Sequence, residues 1–184
     1  MARLRLTRRR CLTGLVASLA AGTAGCGSTL GGTDPETPSP TPSYRHLKHT
    51  SVYVAPGVEL SVPERVPTAS EPGKAGVVVL SGSTDVEAGT ALGWLTGGAG
   101  VGLLGSDAEP TLIRWLRSDA FEAAFDSSAY ADATPDPDFL VAFAVGREFV
   151  STHRFTWGDS DAPTDREMLG AINEALRERP TPQG

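Results

Sequence analysis

Ala75-Gly76-Val77-Val78-Val79-Leu80-Ser81 is an unbroken apolar run of strand length, and its three consecutive β-branched valines favour extended backbone. A strand with one solvated face alternates polar with apolar residues. This one does not, so it is predicted to be buried on both faces, as inner strands are when helices cover each side of a parallel sheet.

Downstream, Thr84-Asp85-Val86-Glu87 has the spacing of a capping box and predicts a helix to about Leu95, closed by Gly97-Gly98. Ala99 to Leu104 is a second candidate strand, weakened by Gly100 and Gly102. Ser106-Asp107-Ala108-Glu109 repeats the capping-box spacing, and Pro110 suits a first helical turn. Leu112, Leu116, Ala120 and Ala124 then recur every four residues beside Ile113, Phe121 and Phe125, predicting one helix to about Phe125. After a loop rich in Asp, Ala and Pro (residues 127–138), Phe139 to Val145 is another buried strand. Gly146-Arg147 fits a two-residue hairpin, with the chain returning from Glu148 to Trp157. Thr164-Asp165-Arg166-Glu167 opens a last helix with Met168, Ile172, Ala175 and Leu176 on its apolar face, ended by Pro180.

Upstream, Ser51 to Val54 and Val58 to Val62 flank Pro56-Gly57, a pair suited to the centre of a type II turn, and predict a short hairpin. Pro63, Pro67 and Pro72 keep the following stretch irregular. The order β-β, β-α-β-α, β-β-α predicts an α/β fold: a single domain with a mixed sheet and about three helices packed on it, in a small αβα-like layered architecture.

The first 26 residues are of a different kind. Five arginines (Arg3, Arg5, Arg8, Arg9, Arg10) precede an apolar run from Leu12 to Ala21, and no acidic residue falls in residues 1–25. A basic block before a short apolar run is the layout of a cleaved export signal, and the run is too short to span a bilayer. Thr7-Arg8-Arg9-Arg10-Cys11-Leu12 resembles the twin-arginine export signal, with Cys11 where the pattern usually has Phe. That resemblance implies transport of an already folded chain, addressed through Arg8 and Arg9. Thr23-Ala24-Gly25-Cys26 resembles the lipobox of exported lipoproteins, with Thr23 in the place of the usual Leu. It implies that Cys26 becomes the mature N-terminus and carries lipid, placing the protein on a membrane, facing outward. Two acyl chains would hold it there stably. Residues 26–43, rich in Pro, Thr and Ser, then form a tether that is too polar to build a core. The domain is expected over residues 44–179, followed by a short tail, 180–184.

Removal of residues 1–25 changes the charge. Five of the 16 basic residues go and all 22 acidic residues stay, leaving 11 basic groups and a formal charge of −11. Only Lys48 and Lys74 are lysines. Excess carboxylate with scarce lysine resembles the composition of proteins from salt-loving archaea. Such a surface disfavours nucleic acid as a partner, since phosphate backbones are bound by basic patches. Cys11 leaves with the signal and Cys26 is taken by lipid, so the domain has no thiol for a disulfide, a nucleophile or a metal.

Candidate chemistry is sparse. Ser81-Gly82-Ser83-Thr84-Asp85 leaves the strongest strand and enters a helix, a position where backbone N–H groups bind anions and ligands in α/β sheets. The same residues also serve as a helix cap without a ligand. Gly100-Val101-Gly102-Leu103-Leu104-Gly105 spells the dinucleotide-binding string but sits within a strand rather than between strand and helix, so no cofactor is predicted. His46 and His49 lie in an entry segment expected to be extended, and His153 shares a strand face with Phe149, Phe155 and Trp157. Asp159, Asp161, Asp165 and Glu167 gather at the start of the last helix, where acids are favourable with or without a cation; no metal site is predicted. The expectation is a binding or interaction role toward an envelope protein or a small extracellular ligand. The competing reading is an enzyme centred on Ser81–Asp85, with Ser106 and Asp107 nearby; a pocket uniting Ser83, Asp85 and His153 would favour it. A structural envelope component is the third possibility.

Overall fold

A computed structural model describes residues 43–126, 137–158 and 162–180. The segment expected to be an export signal and tether, up to residue 42, residues 127–136 of the loop rich in Asp, Ala and Pro, residues 159–161 with Asp159 and Asp161, and residues 181–184 lie outside the described residues. The elements are β1 (Val52–Val54), β2 (Val77–Ser81), α1 (Ala88–Thr96), β3 (Gly100–Leu104), α2 (Ala108–Leu116), α3 (Asp119–Ala124), β4 (Phe139–Val145), β5 (Phe149–Phe155) and α4 (Asp165–Arg177). They build one α/β domain around a five-stranded mixed sheet in the order β1-β2-β3-β4-β5.

The valine run is β2. Val77, Val78, Val79 and Leu80 are all buried, and the strand is parallel to β1 on one side and to β3 on the other. β4 is antiparallel to β3, and β5 to β4. Side chains of alternating parity enter two cores. Val78, Leu80, Val101, Leu103, Leu140 and Ala142 pack under α1, α2 and α3, with Trp115 and Phe121 at the centre of that layer. Val77, Val79, Phe139, Val141 and Phe143 pack on the opposite face with Leu169, Ile172 and Ala175 of α4, and with Tyr44 and Leu47 from the entry segment. The layered α/β/α arrangement is the one the apolar runs require, because strands buried on both faces need cover on both.

Several local expectations are corrected. Pro56-Gly57 does form a turn: Val58 N donates to Ala55 O at 3.2 Å, with Gly57 at φ +86°. No hairpin follows. Val58, Leu60 and Val62 pack as an unpaired segment on the α4 layer, and Ser61 N donates to Asp165 Oδ1 at 3.0 Å, so a helix side chain takes the place of a partner strand. The predicted helix from Thr84 begins only at Ala88, and its N-cap, Glu87, makes no side-chain cap. The reason lies in α2: Arg114 Nη2 donates to Thr84 O and Trp115 Nε1 to Val86 O, each at 3.0 Å, which ties residues 84–86 to another element. The predicted helix to Phe125 is two helices, broken where Ser118 Oγ donates to Trp115 O at 2.6 Å and accepts from Phe121 N at 3.3 Å to cap α3. The hairpin after β4 has three loop residues rather than two, since Val145 pairs with Phe149.

Gly100 and Gly102 lie in the central strand and strengthen its packing. A Cβ on Gly100 would overlap the Phe143 ring of the neighbouring strand, and one on Gly102 would come within 2.9 Å of the Phe139 ring. The first two glycines of the GxGxxG string are thus seats for two phenylalanine rings, a close approach that only glycine allows.

Candidate functional site

Ser81–Asp85 leaves β2 and runs against the start of α2. Gly82 is buried there, and a Cβ would meet Ala108 N at 2.6 Å and Leu104 O at 3.0 Å. Three backbone donors of the segment are already used. Gly82 N donates to Leu104 O at 2.6 Å, Ser83 N to Ser81 Oγ at 3.3 Å, and Thr84 N to Ser81 O at 3.1 Å. Ser81 and Ser83 share a hydroxyl–hydroxyl bond of 2.9 Å. The turn thus closes on itself and on Leu104 at Gly82, Ser83 and Thr84, whose N–H groups are directed within the chain. The alternative of a Ser83 or Thr84 cap on α1 is not formed, since the helix starts further along.

His153 lies far from that turn. Ser81 stands level with Phe155, two residues further along β5, and two strands, β3 and β4, separate β2 from β5. At about 4.8 Å per inter-strand spacing, the three spacings put roughly 14 Å of sheet between them. The sheet brings Gly82 against Asp107 and Ala108 but does not unite Ser83, Asp85 and His153. His153 packs against the Phe143 edge with centroids 6.1 Å apart, and its Nδ1 is 3.8 Å from Glu178 Oε2. It is a histidine on an aromatic face, as its sequence neighbours indicate.

His46 and His49 lie in and beside a 3-10 turn (Leu47–His49), not an extended segment; His46 N donates to Asn173 Oδ1 at 2.9 Å, which docks the turn on α4. Among the described residues no three or more His, Cys, Asp or Glu groups converge as metal ligands. Asp165 is occupied by Ser61 N, and Glu167 closes a complete capping box with Thr164. The Thr164 backbone N–H and then its hydroxyl, both bonded to Glu167, hold that carboxyl below its usual range.

Two hollows flank the N-terminal end of α4. One, about 290 Å³, opens at the carboxyl end of β3 and is lined by Glu59, Leu104, Gly105, Asp138, Pro163 and Met168. Asp138 is fixed there by Trp157 N, which donates to Oδ2 at 2.7 Å, and its carbonyl accepts from Gly105 N at 2.8 Å. The other, about 360 Å³, lies between residues 61–65 and α4, with Tyr44, Val62, Pro63 and Leu169 as apolar walls. Arg65 lies over the Tyr44 ring at 5.1 Å. Sequence reading did not single out Glu59, Arg65 or Asp138: each is an ordinary charged residue in a loop, placed at a cleft only by long-range packing. What was legible was the region, since ligands in α/β sheets favour the carboxyl ends of strands.

The described residues hold one ion pair with a buried partner. Arg154 Nη2 contacts Glu109 Oε1 at 2.9 Å, the Glu109 side chain is 4% exposed, and its Oε2 has no hydrogen-bond partner. Glu109, expected in a capping box, instead locks α2 to β5. No protein-family model, curated protein or solved structure matches the chain.

Proposed function

We propose that this chain is an exported lipoprotein whose α/β domain is held at the outer face of a membrane by lipid on Cys26 and works there by binding. Arg8 and Arg9 in a basic block, the short apolar run after them and the small residues before Cys26 support the address. The surplus of 22 acidic over 16 basic residues, already large before the basic signal is removed, suits a surface kept hydrated in concentrated salt. Nucleic acid is not its partner; the membrane is, through the lipid, together with an envelope protein or a small extracellular ligand.

The observation that carries the binding role is the make-up of the hollow at the carboxyl end of β3. Fixed carboxylate and apolar walls occupy the position that ligands favour in such sheets, while the hydroxyls of Ser81 and Ser83 bond to each other, three strands from His153. Apolar walls with few polar groups bind and orient; a hydrolytic serine needs a base within hydrogen-bond reach.

The test is fractionation of cells expressing the native chain, a Cys26→Ser variant and an Arg8→Lys/Arg9→Lys variant. The native protein is expected in the membrane fraction and open to protease added outside intact cells. Cys26→Ser should leave the membrane, and the arginine variant should accumulate inside. A native chain that is soluble within the cell and indifferent to either change overturns the proposal.

A further inference from the structure

The two edges of the sheet are treated differently. On the β1 side, Val52 N donates to Pro67 O and Ala69 N to Val52 O, both at 2.9 Å, so the chain covers its own edge with a short parallel bridge at Thr68. On the β5 side, no described residue does so. β5 is seven residues long (Phe149–Phe155), regular, and free of proline and glycine. Its one arginine, Arg154, is exposed but its guanidinium is tied back to Glu109 of α2, and His153 lies toward Glu178 beyond α4. An unpaired edge strand presents a row of N–H and C=O groups that template another strand, and native proteins blunt such edges with proline, bulges or projecting charge. β5 has neither proline nor bulge, and its single arginine is drawn back to α2 by Glu109.

The side chains of β5 specify what pairs with it. The register that pairs all seven residues of β5 with a second β5, antiparallel, places Thr152 opposite Thr152 and Phe149 opposite Phe155. Val150 then faces Arg154, and Ser151 faces His153. No two like charges meet, and Phe149, 46% exposed and the one large apolar side chain of that exposure among the described residues, gains an aromatic partner. A two-fold axis through Thr152 satisfies this register, and a self-complementary patch is what such an axis requires.

We infer that β5 is a self-association edge: two copies of this chain join β5 to β5 about Thr152, making one continuous ten-stranded sheet across the pair.

The experiment uses the full chain with Cys11→Ser and Cys26→Ser, so that an introduced cysteine is the sole thiol and no lipid interferes. In this register the two Thr152 Cα atoms lie about 4.5–5.5 Å apart, within disulfide reach. Thr152→Cys should therefore give a covalent dimer on mild oxidation. Two cysteines introduced as Val150→Cys stand four positions out of register, about 13 Å apart, and should not cross-link. Sedimentation should give twice the 19.2 kDa chain mass for the cysteine-free protein. Phe149→Glu, at an exposed position that the fold tolerates, should give the monomer with an unchanged circular dichroism spectrum. A monomeric parent chain, equal cross-linking at positions 150 and 152, or a dimer that Phe149→Glu leaves intact would overturn the inference.

Discussion

Single residues in this chain are decided by what lies across a strand or behind a helix. Gly100 reads in sequence as a weak point of a strand, yet the Phe143 ring occupies the space its Cβ would need, and Arg179 sits over that ring at 5.2 Å. Gly100→Ala should destabilise the domain by about 1–3 kcal/mol through overpacking, read as a lower midpoint in urea; a neutral result would mean that the ring shifts freely. Trp115 fell outside the apolar stripe that predicts α2, although it is 1% exposed and at the centre of its core. Its indole N–H also donates to Val86 O, which fixes the entry to α1. Trp115→Phe keeps most of the apolar contact but strips that carbonyl of its donor, at a cost of about 1–3 kcal/mol. Glu109 was legible as a carboxylate near a helix start; its burial against Arg154 was not, because the partner is 45 positions away.

At the scale of elements, apolar pattern and length read well, whereas caps and breaks depend on the tertiary neighbour. β2, β3 and β4 stand where the apolar runs put them, and α4 carries the expected face. Of three capping-box spacings only Thr164–Glu167 closes, since the other two segments are tied to the rest of the fold by Trp115, Arg114 and Arg154. Val58 to Val62 alternates as a strand does, but α4 rather than a strand receives it. The surviving box carries a pH dependence of definite sign. The carboxyl of Glu167 titrates below its usual value, so its stabilising contribution is present above the ordinary carboxylate range and is lost as pH falls through the depressed folded value. Thr164→Ala should cost about 1 kcal/mol near neutral pH, and the gap from the parent should narrow in acid; urea unfolding at both pH values reads this, and a constant gap would assign the loss to the hydroxyl alone.

At the scale of the whole domain, the described residues form a mixed sheet between two helical layers, which two doubly buried apolar runs were enough to foretell. The candidate site was less legible. Position at the strand ends is a property of the fold class, but the hollow beside Asp138 is assembled from residues 59, 104–105, 138 and 162–168, and no local pattern joins them. The Ser81–Asp85 turn shows the converse: a motif with local meaning in which the fold takes up the N–H groups of Gly82, Ser83 and Thr84. The proposed address at residues 1–26 is the reverse case, a matter of composition and spacing that other machinery would read, and on it rests the central proposal that this domain is displayed from a lipid anchor. Intact-mass measurement of the mature protein from native membranes tests that claim most directly. A chain that starts at Cys26 and carries added acyl mass is the result expected; a chain of 184 residues at 19.2 kDa, with no added mass, would contradict it.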